Sequence, residues 1–267
     1  MELLGYPFFR NALIGLIIIN IAAAMIGTYI ISRRLVAISG GITHACFGGL
    51  GLGYFLGLNP IAMAAAFAVA SSLGVETLST RYRLREDSAI AVIWAVGMAI
   101  GVIFVFLTPG YVPELNSFLF GNILTVSTSD LLIFAGYTLV LALFFALFFK
   151  KIVAVAFDRD FAKVSGLPVT LITTIMTVLV ALCIVLTIKL VGIMLLMSML
   201  SLPQLIAELF TKRFKHLIFI SGAIGITGSL AGLFLSAYIN VPCSALIVTV
   251  YAALFIIGKI TTECFNR

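Results

Sequence analysis

The chain has 267 residues, of which 63% are hydrophobic and only 10% charged, with a formal net charge of +6 and a mean hydropathy of +1.26. A soluble domain carries about 25% charged residues, so too little polar surface is present to coat a water-facing core. That excludes a soluble enzyme, and the basic balance reads as loop charge beside apolar spans rather than a nucleic-acid footprint.

The apolar runs reach roughly the 20 residues that a spanning helix needs, and none shows the alternating polarity of a transmembrane barrel strand. The fold class is therefore all-α and polytopic. In chain order the expected spans cover 9–31, 36–56, 61–80, 89–107, 131–149, 168–188, a shorter seventh at 191–209, 217–238 and 244–260. On this nine-span path all sixteen Lys and Arg except Arg10 and Lys189 fall on one side. The positive-inside rule makes that side cytoplasmic, with the N-terminus outside and the C-terminus inside. Dropping the weak seventh span leaves eight and spoils the charge balance. The N-terminus has no basic n-region ahead of its first span, so that span is expected to stay in the mature protein. Residues 1–267 read as one transmembrane domain. The four cysteines form no CxxC pair and read as small buried hydrophobes.

Three connections stand out. Residues 108–130 form a long outer segment nearly free of cations, with an amphipathic piece beginning at Ser117 and Asp130 placed to cap span five. Residues 150–166 carry a charged amphipathic turn, Phe157-Asp-Arg-Asp-Phe-Ala-Lys. Residues 201–216 open with Ser201-Leu-Pro and continue as an amphipathic helix. Pro203 fits its first turn, with Leu205, Ile206, Leu209 and Phe210 on one face and Glu208, Lys212 and Arg213 elsewhere. The pattern fits a docking helix for a partner subunit and equally a helix lying on lipid headgroups.

Small residues crowd span two. Gly49, Gly53 and Gly57 recur every four residues as a smooth packing stripe, and Gly40-Gly41 offers a place to break the helix and line a cavity. His44 lies in this span, while His216, the other histidine, lies in a gap. An imidazole at membrane depth faces a cavity or a partner and is a good ligand for zinc, manganese or iron. It also fits a structural role, bonded to a nearby carbonyl or sitting near the headgroups. Cys46, about 200° around the helix from it, does not share its face. Glu76 lies near the inner end of span three. Glu86 and Asp87 open span four beside Arg81, Arg83 and Arg85, either as a solvated cluster or as an acidic inner mouth. No phosphate-binding G-x-x-x-x-G-K-[ST] loop is present, so nucleotide hydrolysis is expected from a separate subunit.

Five stretches together carry a resemblance. They are Ser32-Arg-Arg-Leu-Val-Ala-Ile-Ser-Gly-Gly-Ile-Thr-His-Ala, Glu86-Asp-Ser-Ala-Ile-Ala, Leu119-Phe-Gly-Asn-Ile-Leu, Phe157-Asp-Arg-Asp-Phe-Ala-Lys-Val-Ser-Gly-Leu and Val191-Gly-Ile-Met-Leu-Leu-Met-Ser-Met-Leu-Ser-Leu-Pro. In this order the chain resembles the membrane permease subunit of bacterial zinc/manganese/iron ABC importers, the ABC-3 family. The resemblance implies a fold similar to cobalamin-type importer permeases and a homodimer in the bacterial plasma membrane with its path at the dimer axis. It also implies a cytoplasmic ABC ATPase and an extracellular or periplasmic metal-binding protein as partners. No resident cofactor is expected; the divalent ion, zinc or manganese and possibly iron, is cargo. The resemblance makes His44 the metal-contacting residue of the path and Pro203, Gln204 and Glu208 the docking element for the ATPase. The chain departs from the pattern at Gly40, where many members carry Asp one turn before the histidine. Losing that hard oxygen ligand weakens the case for manganese and favours zinc. Two rivals remain open: a permease for a metal chelate such as a siderophore, and an intramembrane enzyme, which needs a second reactive group converging on His44.

Overall fold

The computed structural model describes residues 5–109, 121 and 123–265. Among these residues the elements are helices and a single short 3-10 turn, Ile123–Thr125. They are α1 (Pro7–Ser32), α2 (Val36–Leu56), α3 (Pro60–Thr80), α4 (Glu86–Leu107), α5 (Thr128–Phe157), α6 (Arg159–Val164), α7 (Val169–Met199), α8 (Leu202–Phe210), α9 (Phe214–Ile239) and α10 (Cys243–Phe265). The amphipathic piece expected from Ser117 lies mostly outside the described residues.

Local chemistry sets the helix ends. The Asn59 side chain accepts from the amides of Ile61 (3.0 Å) and Ala62 (3.2 Å), and Pro60 occupies the first turn of α3, where its missing N–H costs nothing. Ser127 and Asp130 cap α5 reciprocally. The Asp130 amide donates to Ser127 Oγ at 3.2 Å, and Asp130 Oδ2 accepts from the Ser127 hydroxyl at 2.7 Å and from its amide at 3.4 Å. Gly57 ends α2 with φ +66. Its amide reaches the Tyr54 carbonyl and that of Leu58 the Gly53 carbonyl, the paired bonds of a left-handed helix stop. Nothing lies within 4 Å of where a Gly57 Cβ would be. The third glycine of the predicted stripe is thus a terminator, not a packing contact.

Two compact units emerge. The first combines Met1–Arg33, Leu119–Phe149 and Leu190–Arg267, and so holds α1, most of α5, the end of α7 and α8–α10. Its centre is a polar staple inside apolar helices. Asn20 Nδ2 donates to the Leu16 carbonyl (2.8 Å) and to Ser229 Oγ (2.9 Å), while the Tyr251 hydroxyl donates to the Gly225 carbonyl (2.8 Å) and lies 3.2 Å from Asn20 Oδ1. All three side chains are buried. With no water to satisfy them in lipid, they bind α1, α9 and α10 to one another. The second unit combines Arg34–Phe118 and Lys150–Lys189, and holds α2–α4, α6 and the start of α7.

Among the described residues eight helical stretches are long and apolar enough to cross a membrane, and one of them, Val169–Phe210, takes in both α7 and α8 with 42 residues. At 1.5 Å per residue that is about 63 Å, twice the hydrocarbon thickness. The helix breaks at Gly192, with φ 80 and ψ 171. Within the first unit, the chain after the break runs alongside α1. Gly192 lies against Gly121, and Asn11 of α1 donates to the nearby Val126 carbonyl. Farther along, the Leu200 carbonyl lies against Gly27. Asn11 and Gly27 are about 24 Å apart along α1. The expected seventh span, 191–209, is therefore not one helix: it divides between the end of α7 beyond Gly192 and α8. The break predicted at Gly40-Gly41 does not occur: α2 is continuous there, and a Cβ on Gly41 would strike Ile90.

Candidate functional site

The second unit is organised around α2, whose glycines serve two neighbours. Gly49 and Gly53 face α3: a Cβ at Gly53 would sit 2.7 Å from Pro60 Cα, and one at Gly49 would meet Met63, Ala64 and Phe67. Gly41 and Gly51 face α4, against Ile90 and the Gly101 backbone, and Gly48 lies between Phe67 of α3 and the Gly97 carbonyl of α4. Gly97 and Gly101 return the contact against Ala45 and the Phe47 carbonyl. Backbone thus meets backbone along the α2–α4 seam, the close approach that small residues allow in lipid.

His44 stands on this tightly registered helix. It is half-buried, and its Nδ1 is buried with no hydrogen-bond partner. Among the described residues no carbonyl bonds its Nδ1. Its ring instead stacks on Trp94 of α4, with centroids 4.7 Å apart and planes 4° apart, and Phe47 flanks it at 6.0 Å. Cys46 Sγ bonds the Ile42 carbonyl at 3.0 Å and is buried, so this thiol does not join the imidazole. Among the described residues no three His, Cys, Asp or Glu side chains gather into a cluster able to hold a metal ion.

The acidic residues separate. Glu86 and Asp87 lie in the first turn of α4, where carboxylates oppose the helix dipole. Glu86 pairs with Arg159 at 3.3 Å, each side chain about one-third exposed, while Asp87 is exposed. Arg159 also lines a cavity of about 760 Å³ with Glu76, Thr80, Asp160, Lys163 and the start of α7. The acid that faces this space from α3 is Glu76. Glu86 is the ion-pair partner of the Arg159 that lines it.

The segment expected to dock an ATPase is α8. Pro203 and Gln204 are buried. Gln204 Nε2 donates to the Ala23 carbonyl (2.8 Å) and the Met199 carbonyl (3.2 Å). The second of these lies at the end of α7, where carbonyls lose their intrahelical partners. Gly27 makes room, since a Cβ there would lie 2.5 Å from the Gln204 amide. Gln204 is thus an internal cap in this conformation. Glu208, half-buried and 3.7 Å from Lys212, and Phe210, 57% exposed, form the accessible end of the helix.

Trp94 and Arg159 carry roles that pattern reading passes over. Trp94 had one signal, as the only tryptophan of the chain and placed well inside a span, away from the interfacial belts where tryptophan concentrates. Arg159 stands in the charged turn that begins at Phe157, but nothing in the sequence pairs it with Glu86, which lies 73 residues away.

A model of the ABC 3 transport family matches residues 5–262. The chain is similar to an uncharacterised membrane protein of Synechocystis, 33% identical over 97% of this chain and 92% of that protein. It is similar to a manganese transport system membrane protein of Halalkalibacterium halodurans, 31% identical over 95% of this chain and 87% of that one. Among solved structures it resembles a chain of PsaBC from Streptococcus pneumoniae in complex with Fab, with a TM-score of 0.83 and 31% identity over 96% of this chain and 92% of that chain.

Proposed function

The chain belongs to the ABC 3 transport family, and on that premise we propose that it is the membrane permease of an ATP-driven importer of a divalent metal cation, with His44 as the contact on the path. The carrying observation is the His44 ring. It is half-buried, its Nδ1 has no hydrogen-bond partner among the described residues, and it stands on a helix locked in register by glycine contacts, whereas His216 is exposed in the first turn of α9. Manganese is supported by the name of the Halalkalibacterium halodurans relative. Zinc is supported by Gly40, which leaves no carboxylate one turn before the imidazole.

Residues 1–267 work in this reading as one permease domain that pairs with a second copy, bringing two His44 side chains toward a common axis. The basic ends face the cytoplasm, the N-terminus is outside and the C-terminus inside. A binding protein delivers the ion on the outer side. A cytoplasmic ATPase engages the accessible end of α8, at Glu208 and Phe210, and its closure switches access from one face to the other. The cavity beside Glu76 and Arg159 is the inner vestibule. Ligation by few groups suits this cycle, because a site that binds too tightly does not release its ion.

The test is uptake of radiolabelled manganese and zinc by cells that depend on this system. His44→Ala is expected to reduce uptake of the transported ion to background with normal membrane levels of the protein. Unchanged uptake of both ions overturns the reading, and uptake only of a metal–siderophore complex transfers the assignment to a chelate permease.

A further inference from the structure

A histidine that binds a metal is normally aimed by a hydrogen bond from its second nitrogen to a carboxylate or carbonyl. His44 has none: its Nδ1 is buried without a partner, and the positions one turn before it are Gly40 and Gly41. Something else must hold the ring, because an apolar helix alone leaves an imidazole free to swing between rotamers.

We infer that Trp94 is the positioning residue of His44, an indole platform that replaces the missing hydrogen bond and favours the metal-bound ring. The inference rests on the reading of His44 as the contact for the ion. Three observations carry it. The rings are nearly parallel, 4° apart at a centroid distance of 4.7 Å, which is face contact rather than incidental proximity. The indole, 40% exposed, is tethered at its nitrogen: its Nε1–H donates to Met98 Sδ at 3.1 Å, one turn along α4. The backbone beneath it is fixed as well, since Gly97 lies against Ala45, the residue next to His44, and Gly101 lies against the Phe47 carbonyl. From Met98 to Trp94 to the imidazole, each group limits the next, all within one compact unit.

The chemistry gives the platform a direction. The face of an indole carries negative potential. An imidazole that donates a lone pair to a cation becomes electron-poor, so it stacks on that face more strongly than the free ring does. Trp94 therefore stabilises the loaded state more than the empty one and is expected to act on affinity for the ion.

The experiment measures equilibrium binding of radiolabelled Mn2+ to the full chain in lipid nanodiscs for wild type, Trp94→Phe, Trp94→Leu and His44→Ala. Leucine keeps apolar bulk but removes the aromatic face, and phenylalanine keeps a flat ring. Trp94→Leu is expected to weaken binding about three- to tenfold and Trp94→Phe to stay within about twofold of wild type. His44→Ala is expected to abolish binding. The protein has one tryptophan, so its emission reads the site directly: Mn2+ is expected to quench it saturably, with the midpoint of the binding curve, in wild type and not in His44→Ala. If Trp94→Leu binds like wild type while His44→Ala does not bind, Trp94 is only packing and the inference fails with the transport reading intact. If His44→Ala binds and transports normally, the transport reading itself fails. Should Trp94→Leu not insert, the wild-type emission decides: no saturable quench overturns the inference.

Discussion

Gly97→Ala puts the α2–α4 seam under direct load. The added Cβ would sit 2.6 Å from Ala45 Cα, 2.9 Å from its Cβ and 3.0 Å from its carbonyl oxygen, where ordinary contact begins at 3.4 Å. Those atoms belong to a helix backbone and a methyl group, so no side chain can rotate away. The helices must part by about 1 Å, at the cost of about 1–3 kcal/mol that overpacking a tight core brings. A gap of that size also forfeits a quarter to a half of each dispersion contact along the seam. Trp94 is one turn away on the same helix, so its face-to-face contact with His44 loosens with the seam. The assay is thermal unfolding of the detergent-solubilised chain, followed by the folded fraction on size exclusion, together with metal uptake. Gly97→Ala should unfold at lower temperature and transport less. Gly136→Ala, whose Cβ meets nothing within 4 Å, should be neutral or gain up to about 1 kcal/mol in helix preference. Equal stability of Gly97→Ala and wild type would refute the backbone-to-backbone seam.

Two further outcomes follow from the first unit. Tyr251→Phe removes the hydroxyl that ties α10 to Gly225 and Asn20. Side-chain bonds within membranes average about 0.6 kcal/mol and reach about 1.7, so unfolding in a titration with a denaturing detergent should shift by an amount in that range, and no shift would show that the staple is idle. Ser127→Ala breaks the reciprocal cap of α5 at a cost of about 1 kcal/mol. Hydrogen exchange should speed up in the first turn of α5 and leave the rest of that helix unchanged.

Much of the molecule is legible without coordinates because the bilayer imposes a one-dimensional rule. Span length, the charge split between loops and the isolation of His44 within an apolar run depend only on neighbours in sequence. The Asp130 cap and the Pro60 start are equally local, set by side chains within three residues of the backbone they serve. Gly57 shows the limit of periodicity: four-residue spacing puts it on the stripe with Gly49 and Gly53, yet a left-handed φ makes it the end of the helix. Periodicity also cannot see that α8 is pulled inside by Gln204, since the carbonyls it serves belong to α1 and to the end of α7.

What the amino-acid order alone determined is an all-α polytopic membrane protein with one histidine inside its second apolar run, because hydropathy and charge act through the solvent and need no partner. What only the tertiary structure decided is which groups stand around that histidine. Trp94 lies 50 residues from it in sequence and reaches it through the registry of Gly97 on Ala45. Arg159 claims Glu86 from another part of the chain, and the carbonyls of Ala23 and Met199 draw in Gln204, the polar residue that looked free to dock. Such contacts are selected by shape between distant helices, and no local pattern encodes them.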